Sequence, residues 1–320
     1  MNRKQKKRKV KSKPIQITEY LFVKVLMGVV QLLPHRALSL ISKTLGWLLF
    51  HLVPRRRKIA VLNIKSAYSD TMDMKEVERV ARRSCDSFFQ SYLEMIKYQD
   101  LLTDPEKFSY LKKETENVDQ LFERAREYHE RWSGCIFVTP HIGNWEILPY
   151  VSRLAGIPLV VVVRPLDNLY LERLLFSKRS RSGQLIIPKR NALFQLQKTL
   201  QRGNSIGMLP DQSTMKGIPV DFFGRKATTT PVPAILSIRF KRPIVVVACL
   251  RKPDGLGFDG YLSDPILPSQ DYTSERSEIY RLTFEMNREM ENVIRLRPEQ
   301  YLWIHNRWKT YKGKVAVMDL

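Results

Sequence analysis

Cys135-Ile136-Phe137-Val138-Thr139-Pro140-His141-Ile142-Gly143-Asn144-Trp145-Glu146 is an apolar, strand-like run that ends in a histidine and then turns towards a helix. A strand that delivers a side chain at its carboxyl end, just before a helix, is where α/β proteins place their chemistry. The same alternation continues outward. Strand-like runs at 135–139, 157–163, 184–187, 205–209 and 243–250 are separated by helix-like stretches near 144–155, 168–179, 191–202 and 231–240. The run Ile157-Pro158-Leu159-Val160-Val161-Val162-Val163 has the continuous β-branched character of a central strand covered on both faces. Upstream, Met74 to about Leu102 and Val118 to Trp132 read as amphipathic helices. Downstream, Leu256 to Leu262 suggests a further strand and Ser274 to Leu296 a long helix with paired charges. The expected fold is an α/β sandwich with a mostly parallel central sheet.

His141 and Glu146 have four residues between them, and this spacing decides where each must sit. Two helical positions five apart are rotated by about 140° and cannot share a face, so His141 belongs before the helix. Gly143 then supplies the turn, Asn144 caps the helix, and Glu146 in the first turn can swing back towards the imidazole. A carboxylate on one ring nitrogen fixes the tautomer and leaves the other nitrogen to take a proton from a hydroxyl. A loop histidine beside a capping glutamate would produce the same string, so the pair needs its context. Asp211 ends the strand-like run Ile206 to Leu209 and Arg164 ends the 157–163 run. In a parallel sheet both share an edge with His141. Their bland readings are a turn aspartate and a surface arginine.

Two other motifs fit on paper. Gly203-Asn204-Ser205-Ile206-Gly207 matches a nucleophile elbow, but a helix precedes and a strand follows, the reverse of what the elbow requires; Gly203 is the better fit to a helix C-cap. Gly255-Leu256-Gly257-Phe258-Asp259-Gly260 matches a dinucleotide fingerprint, yet Tyr261-Leu262-Ser263-Asp264-Pro265 cannot open the required helix, and a turn between two strands at Pro253-Asp254-Gly255 accounts for it. No P-loop, H-E-x-x-H or C-x-x-C occurs. Cys85, Cys135 and Cys249 lack metal-type spacing, which suits a reducing compartment and argues against a zinc site or a disulfide framework.

The chain of 320 residues carries a formal net charge of +22 with 43% hydrophobic residues, which points to a globular protein with a polyanionic partner. Residues 3 to 13 hold eight Lys or Arg, so residues 1–19 are expected to be a solvated tail lying against anionic headgroups. Residues 20–57 follow as a membrane-anchoring helical segment. It contains two apolar blocks, Tyr20 to Leu33 and Ala37 to Val53, broken by Pro34-His35-Arg36, and neither makes a clean span of about 20 apolar residues. One helix spanning with snorkelling lysines and a helical pair lying in the interface both remain open, with a buried core hairpin as the bland alternative. The basic flanks at 3–13 and 55–58 mark the cytoplasmic side. Residues 58–320 form the catalytic domain. Nucleic-acid binding would also suit the charge, but no recognised module is present and the apolar segment would go unexplained.

The run His141-Ile142-Gly143-Asn144-Trp145-Glu146 resembles the His-four-residues-Glu motif of the bacterial lipid A late acyltransferases of the lauroyl and myristoyl type. The resemblance extends in order through Arg55-Arg56-Arg57-Lys58 with Asn63-Ile64-Lys65, Val163-Arg164-Pro165 with Asp167-Asn168, Arg179 to Gly183, Leu209-Pro210-Asp211-Gln212, Asp221-Phe222-Phe223-Gly224-Arg225, and Trp303-Ile304-His305-Asn306-Arg307-Trp308-Lys309. It covers roughly residues 20 to 310, and its specificity lies in the ordered set. It implies a glycerolipid-acyltransferase-like fold on the cytoplasmic face of the cell inner membrane. The implied reaction moves a fatty acyl chain from an acyl thioester to a hydroxyl of a phosphorylated lipid A precursor, with no resident cofactor. His141 would be the general base held by Glu146. Arg164, Asp211, Asn144 and Arg179 are the candidates for substrate or oxyanion binding. The basic set Lys178, Arg179, Arg181, Lys189 and Arg190 suits an acidic acyl-carrier protein as donor or the phosphates of the glycolipid. Phe222-Phe223 would line the acyl slot or belong to the core, and the 305–308 run would suit an interface or pack on the sheet edge. Nearer rivals keep the chemistry and change the acceptor to a mannosylated phosphoinositide or a glycerolipid.

Overall fold

The computed structural model describes residues 12–103, 118–157, 159–163, 166–174, 185–188, 192–253, 257–309 and Tyr311. Its centre is a six-stranded sheet of β1 (Ile136–Val138), β2 (Leu159–Val163), β3 (Leu185–Pro188), β4 (Ser205–Met208), β7 (Ile244–Arg251) and β8 (Phe258–Leu262), in the order β3-β2-β4-β1-β7-β8. Every pairing is parallel except that of β7 with β8, so the sheet is mostly parallel, as the pattern predicts. The β7–β8 pair is antiparallel across the Pro253 region, which agrees with a turn there; residues 254–256 lie outside the described part. A separate antiparallel hairpin, β5 (Ile218–Phe222) with β6 (Arg225–Thr229), was not expected from the sequence. Its turn places Phe223 at φ 51° and Gly224 at φ 70°. Two positive φ values make the tight turn that matches strand twist, and a phenylalanine in the first of them hides the usual signal.

Helices cover the sheet. The long C-terminal helix, Glu275–Leu296, starts at a capping box on Ser274 and turns Leu282, Met286, Met290, Val293 and Ile294, all fully buried, onto the sheet. Met74–Thr103 and Val118–Arg131 occupy the spans expected of them. Phe222 and Phe223 both belong to the main core, which settles their position in favour of packing.

The amino-terminal part consists of α1 (Lys13–Leu32), α2 (His35–Leu52) and α3 (Pro54–Ala67), followed by α4, the Met74–Thr103 helix. α1 begins at Lys13, inside the stretch expected to be tail, because Pro14 falls in its first turn, where a missing N–H costs nothing. Residues 1–11 lie outside the described part. Pro34 forces Leu33 into an extended conformation and separates α1 from α2. Pro54 starts α3 at 96° to α2, so a boundary at 57/58 would cut a continuous helix whose Ala60 and Ile64 are fully buried. α1 is long and apolar enough to cross a membrane, with only 17% of its apolar window buried and Phe22, Val25 and Leu32 exposed. It is nevertheless tied to the domain. Lys97 Nζ of α4 donates to the carbonyls of Gln31 and Leu33 at 2.7 and 2.8 Å, and Asn168 Nδ2 donates to Gln16 O at 2.8 Å.

Candidate active site

β1 and β4 lie side by side, and the residues that leave their carboxyl ends meet. The ladder runs one step past β1, where Thr139 N–H donates to Met208 O at 3.1 Å, and Pro140 then ends it. Beyond that step the His141 N–H donates to Asp211 Oδ2 at 2.8 Å, and His141 Nδ1 lies 2.6 Å from Asp211 Oδ1. An ionised carboxylate only accepts, so Nδ1 carries the proton, and in the neutral ring the lone pair is on Nε2. Gln212 Nε2 is 3.3 Å from that nitrogen and Trp145 packs edge-on against the ring at 5.3 Å. The Asp211 side chain is 2% exposed and that of His141 17%, so the imidazole is within reach of a substrate and the carboxylate is not.

Burial pushes the Asp211 carboxyl up, but the charge and two hydrogen bonds of His141, with Arg307 adding its charge, outweigh it and hold the group below its ordinary value. Burial and the neighbouring Asp211 charge hold the Tyr301 phenol well above its own. His305 is held below its ordinary value mainly by burial, against the attraction of Asp211, and its Nε2 faces Ser213 N at 3.3 Å. The site therefore contains an ionised carboxylate, a neutral phenol and a second histidine that resists protonation.

These groups reach the sheet edge on the carboxyl-terminal strap. Leu302 N–H donates to His141 O at 3.0 Å, and Ile142 pairs with Tyr301. Asn63 of α3 donates to the carbonyls of Trp303 and His305 at 2.8 and 2.7 Å. Arg307 is 1% exposed; it donates to Thr228 O and Thr229 Oγ1 and stacks on Phe222 at 4.7 Å. The strap therefore packs against the sheet edge, with two nitrogens of the Arg307 guanidinium held by β6.

The carboxylate on Nδ1 is thus the one from the adjacent strand end, Asp211. Glu146 does not occupy that position. It sits in a turn two residues before the helix Leu148–Leu154, and the helix starts later than the sequence suggests because Pro149 falls in its first turn. Asn144 is not its cap either. It is fully buried, takes its backbone bond to Cys249 O at 2.8 Å, and donates its side chain to Glu94 Oε2 at 2.9 Å. Gly143 adopts φ 58°, and a Cβ there would stand 2.0 Å from Cys249 O, so the loop must cross at a glycine. Arg164, Lys178, Arg179, Arg181, Lys189 and Arg190 lie outside the described residues. Ser205 follows a helix and begins a strand; its buried Oγ accepts from Cys135 N–H at 2.9 Å, which excludes the elbow reading. Tyr301, Glu94 and Arg251 were not singled out in the sequence, where nothing marks a distant tyrosine, glutamate or arginine as a neighbour of this loop.

Residues 3–310 match the family model described as bacterial lipid A biosynthesis acyltransferase. The chain is 28% identical to a lipid A biosynthesis acyltransferase of Haemophilus influenzae over 87% of its own length and 86% of the relative's. It is 26% identical to the lipid A biosynthesis lauroyltransferase of Escherichia coli over 91% of each chain. It is 29% identical to the palmitoleoyltransferase of lipid A biosynthesis in the same organism over 55% of this chain and 56% of that one.

Proposed function

Because the chain belongs to the bacterial lipid A biosynthesis acyltransferase family, we propose that it carries a fatty acyl chain from an acyl-carrier-protein thioester to a hydroxyl of a phosphorylated lipid A precursor, with His141 as general base. One observation carries the mechanism: Nδ1 is tied to Asp211 at 2.6 Å, which leaves Nε2 as the acceptor. Nε2 takes the proton of the acceptor hydroxyl as its oxygen attacks the thioester carbonyl. The tetrahedral intermediate then collapses, the carbon–sulfur bond breaks, and the imidazolium returns the proton to the leaving thiolate. Asp211 stays ionised throughout and stabilises the imidazolium that forms between the two steps. Glu146 supplies a second carboxylate to the same loop. Arg164 and Arg179 serve the oxyanion or the substrate phosphates.

The acidic donor protein and the phosphorylated acceptor both suit a net charge of +22. Attachment through α1 and α2 at the cytoplasmic face of the inner membrane suits their exposed apolar side chains and the basic residues on either side. The test incubates the detergent-solubilised full chain with acyl-carrier-protein and coenzyme A thioesters of several chain lengths and reads products by mass spectrometry. Acceptors are a phosphorylated lipid A precursor, a glycerolipid and a mannosylated phosphoinositide. A gain of one acyl group on the lipid A precursor, absent in His141→Ala, is expected; a gain confined to another acceptor contradicts the proposal.

A further inference from the structure

Behind the His141 loop, Glu94 of α4 and Arg251 at the end of β7 form an ion pair. Their side chains are 1% and 7% exposed. Arg251 Nε reaches both Glu94 oxygens at 2.9 and 2.8 Å, while its other nitrogens donate to Ser87 Oγ at 2.9 Å and Ser91 Oγ at 2.8 Å. A buried pair of this kind adds little net stability over an apolar pair of the same shape, because both charges lose their hydration. What this one does have is two arms into the catalytic loop. Asn144 Nδ2 donates to Glu94 Oε2 at 2.9 Å, and the single proton of Ser91 Oγ is shared between Gly143 O at 2.7 Å and Ser87 O at 2.9 Å. The same arginine is bracketed by Gln300, whose amide pairs with the Arg251 backbone at 2.9 Å in both directions and whose carbonyl accepts Gly143 N–H at 3.3 Å. Both backbone polar groups of Gly143, and the side chain of Asn144, are therefore fixed by groups that converge on one buried charge pair. On the far side Glu94 Oε1 lies 3.7 Å from Nε2 of His35, the first residue of α2, so the hairpin break and the loop share that carboxylate.

We infer that Glu94 and Arg251 are positioning residues for acyl transfer, acting through Ser91 and Asn144 to hold the Gly143-Asn144 turn that aims His141. The inference rests on His141 being the base. Two residues lie between His141 and Asn144, so a loop released at Gly143 and Asn144 can swing the imidazole off Asp211, and small misplacement of a base is costly in rate.

Ser91 provides the sharpest test, because its hydroxyl is one hydrogen bond away from the loop and its removal leaves both charges paired. Ser84 is the control: it is as deeply buried on the same helix, and its hydroxyl returns to Ala81 O in the preceding turn at 2.9 Å. In the full chain, Ser91→Ala is expected to lower kcat by about five- to tenfold with KM for donor and acceptor within about twofold. Ser84→Ala leaves kcat within about twofold at a similar unfolding midpoint. Glu94→Gln, which cannot serve Asn144 and Arg251 together, lowers kcat further, and Arg251→Lys does not restore the two serine contacts. Hydrogen–deuterium exchange of the 139–147 peptide reports the same device without any turnover: faster exchange in Ser91→Ala than in Ser84→Ala is expected. Equal kcat and equal exchange in the two serine variants overturn the inference. The exchange comparison decides the matter whether or not Glu94→Gln folds, and whether or not the lipid A precursor proves to be the acceptor.

Discussion

β1 and β4 carry a histidine–oxygen contact at each of their two ends, and only one of them has the properties of a site. At the carboxyl ends His141 Nδ1 meets an ionised carboxylate at 2.6 Å; at the amino ends His129 Nδ1 meets the hydroxyl of Ser205 at 2.9 Å. The second contact is closed on itself, since Ser205 Oγ also accepts Cys135 N–H and so pins the Val118–Arg131 helix to the strands. Burial holds His129 below its ordinary value, against a smaller pull from Glu130, and the group on its Nδ1 is a hydroxyl rather than a carboxylate. At the other end Asp211 supplies that charge, and parallel strands open towards a crevice. Distance between a histidine and an oxygen therefore says little. The charge of the partner decides what the pair can do.

The contrast can be broken at either end. His141→Ala is expected to lower kcat by about 10³-fold, since it removes the base outright, and a variant that retained a tenth of the activity would dissolve the distinction. Asp211→Asn, which leaves the shape and removes the charge, is expected to cost about 10²-fold, more than Glu146→Gln, because Asp211 holds Nδ1. Steady-state rates of the two variants measured together would reverse the assignment if Glu146→Gln were the worse. At the opposite end Ser205→Ala leaves kcat within about twofold and lowers stability by about 1–3 kcal/mol, read as a shift in the urea midpoint.

The smallest effect is in the pH dependence of stability. His129 and His305 both have folded values below their unfolded ones, so the unfolded chain takes up their protons first. Their contribution is complete above about pH 6.5 and is lost as pH falls through the folded values. Asp211 is depressed too, but its contribution is complete above about pH 3.9 and is lost only below that. The histidine contribution to the urea midpoint should therefore fall as pH drops below about 6.5, and His129→Gln should flatten part of that slope while Asp211→Asn leaves it in place. A slope untouched by His129→Gln would mean that the amino-terminal contact is not buried as described.

The sheet was legible in the sequence because its strands are continuous β-branched runs between helical periods; Ile157 to Val163 is the plainest case. The shared edge of His141 and Asp211 was legible for the same reason, since both follow such runs. Their direct contact was not: it depends on β4 inserting between β2 and β1, an order that no local pattern encodes. Glu146, close in sequence, therefore drew the role that Asp211 holds in space. The β5–β6 hairpin stayed hidden because Phe223 occupies a left-handed turn position where glycine or asparagine is the usual sign. The pair of Glu94 and Arg251 stayed hidden because its members are 157 residues apart and each resembles an ordinary charged residue on a helix or strand.

The account turns on which nitrogen of His141 carries the proton, and nitrogen-15 NMR of the full chain with labelled histidine reads it directly. Only five histidines contribute signals, and His141→Ala identifies the one that matters. The neutral ring is predicted to carry its proton on Nδ1, facing Asp211, and to lose that preference in Asp211→Asn. A neutral ring protonated on Nε2 in the unaltered protein would contradict the account, because the nitrogen offered to the hydroxyl would then have no lone pair to give.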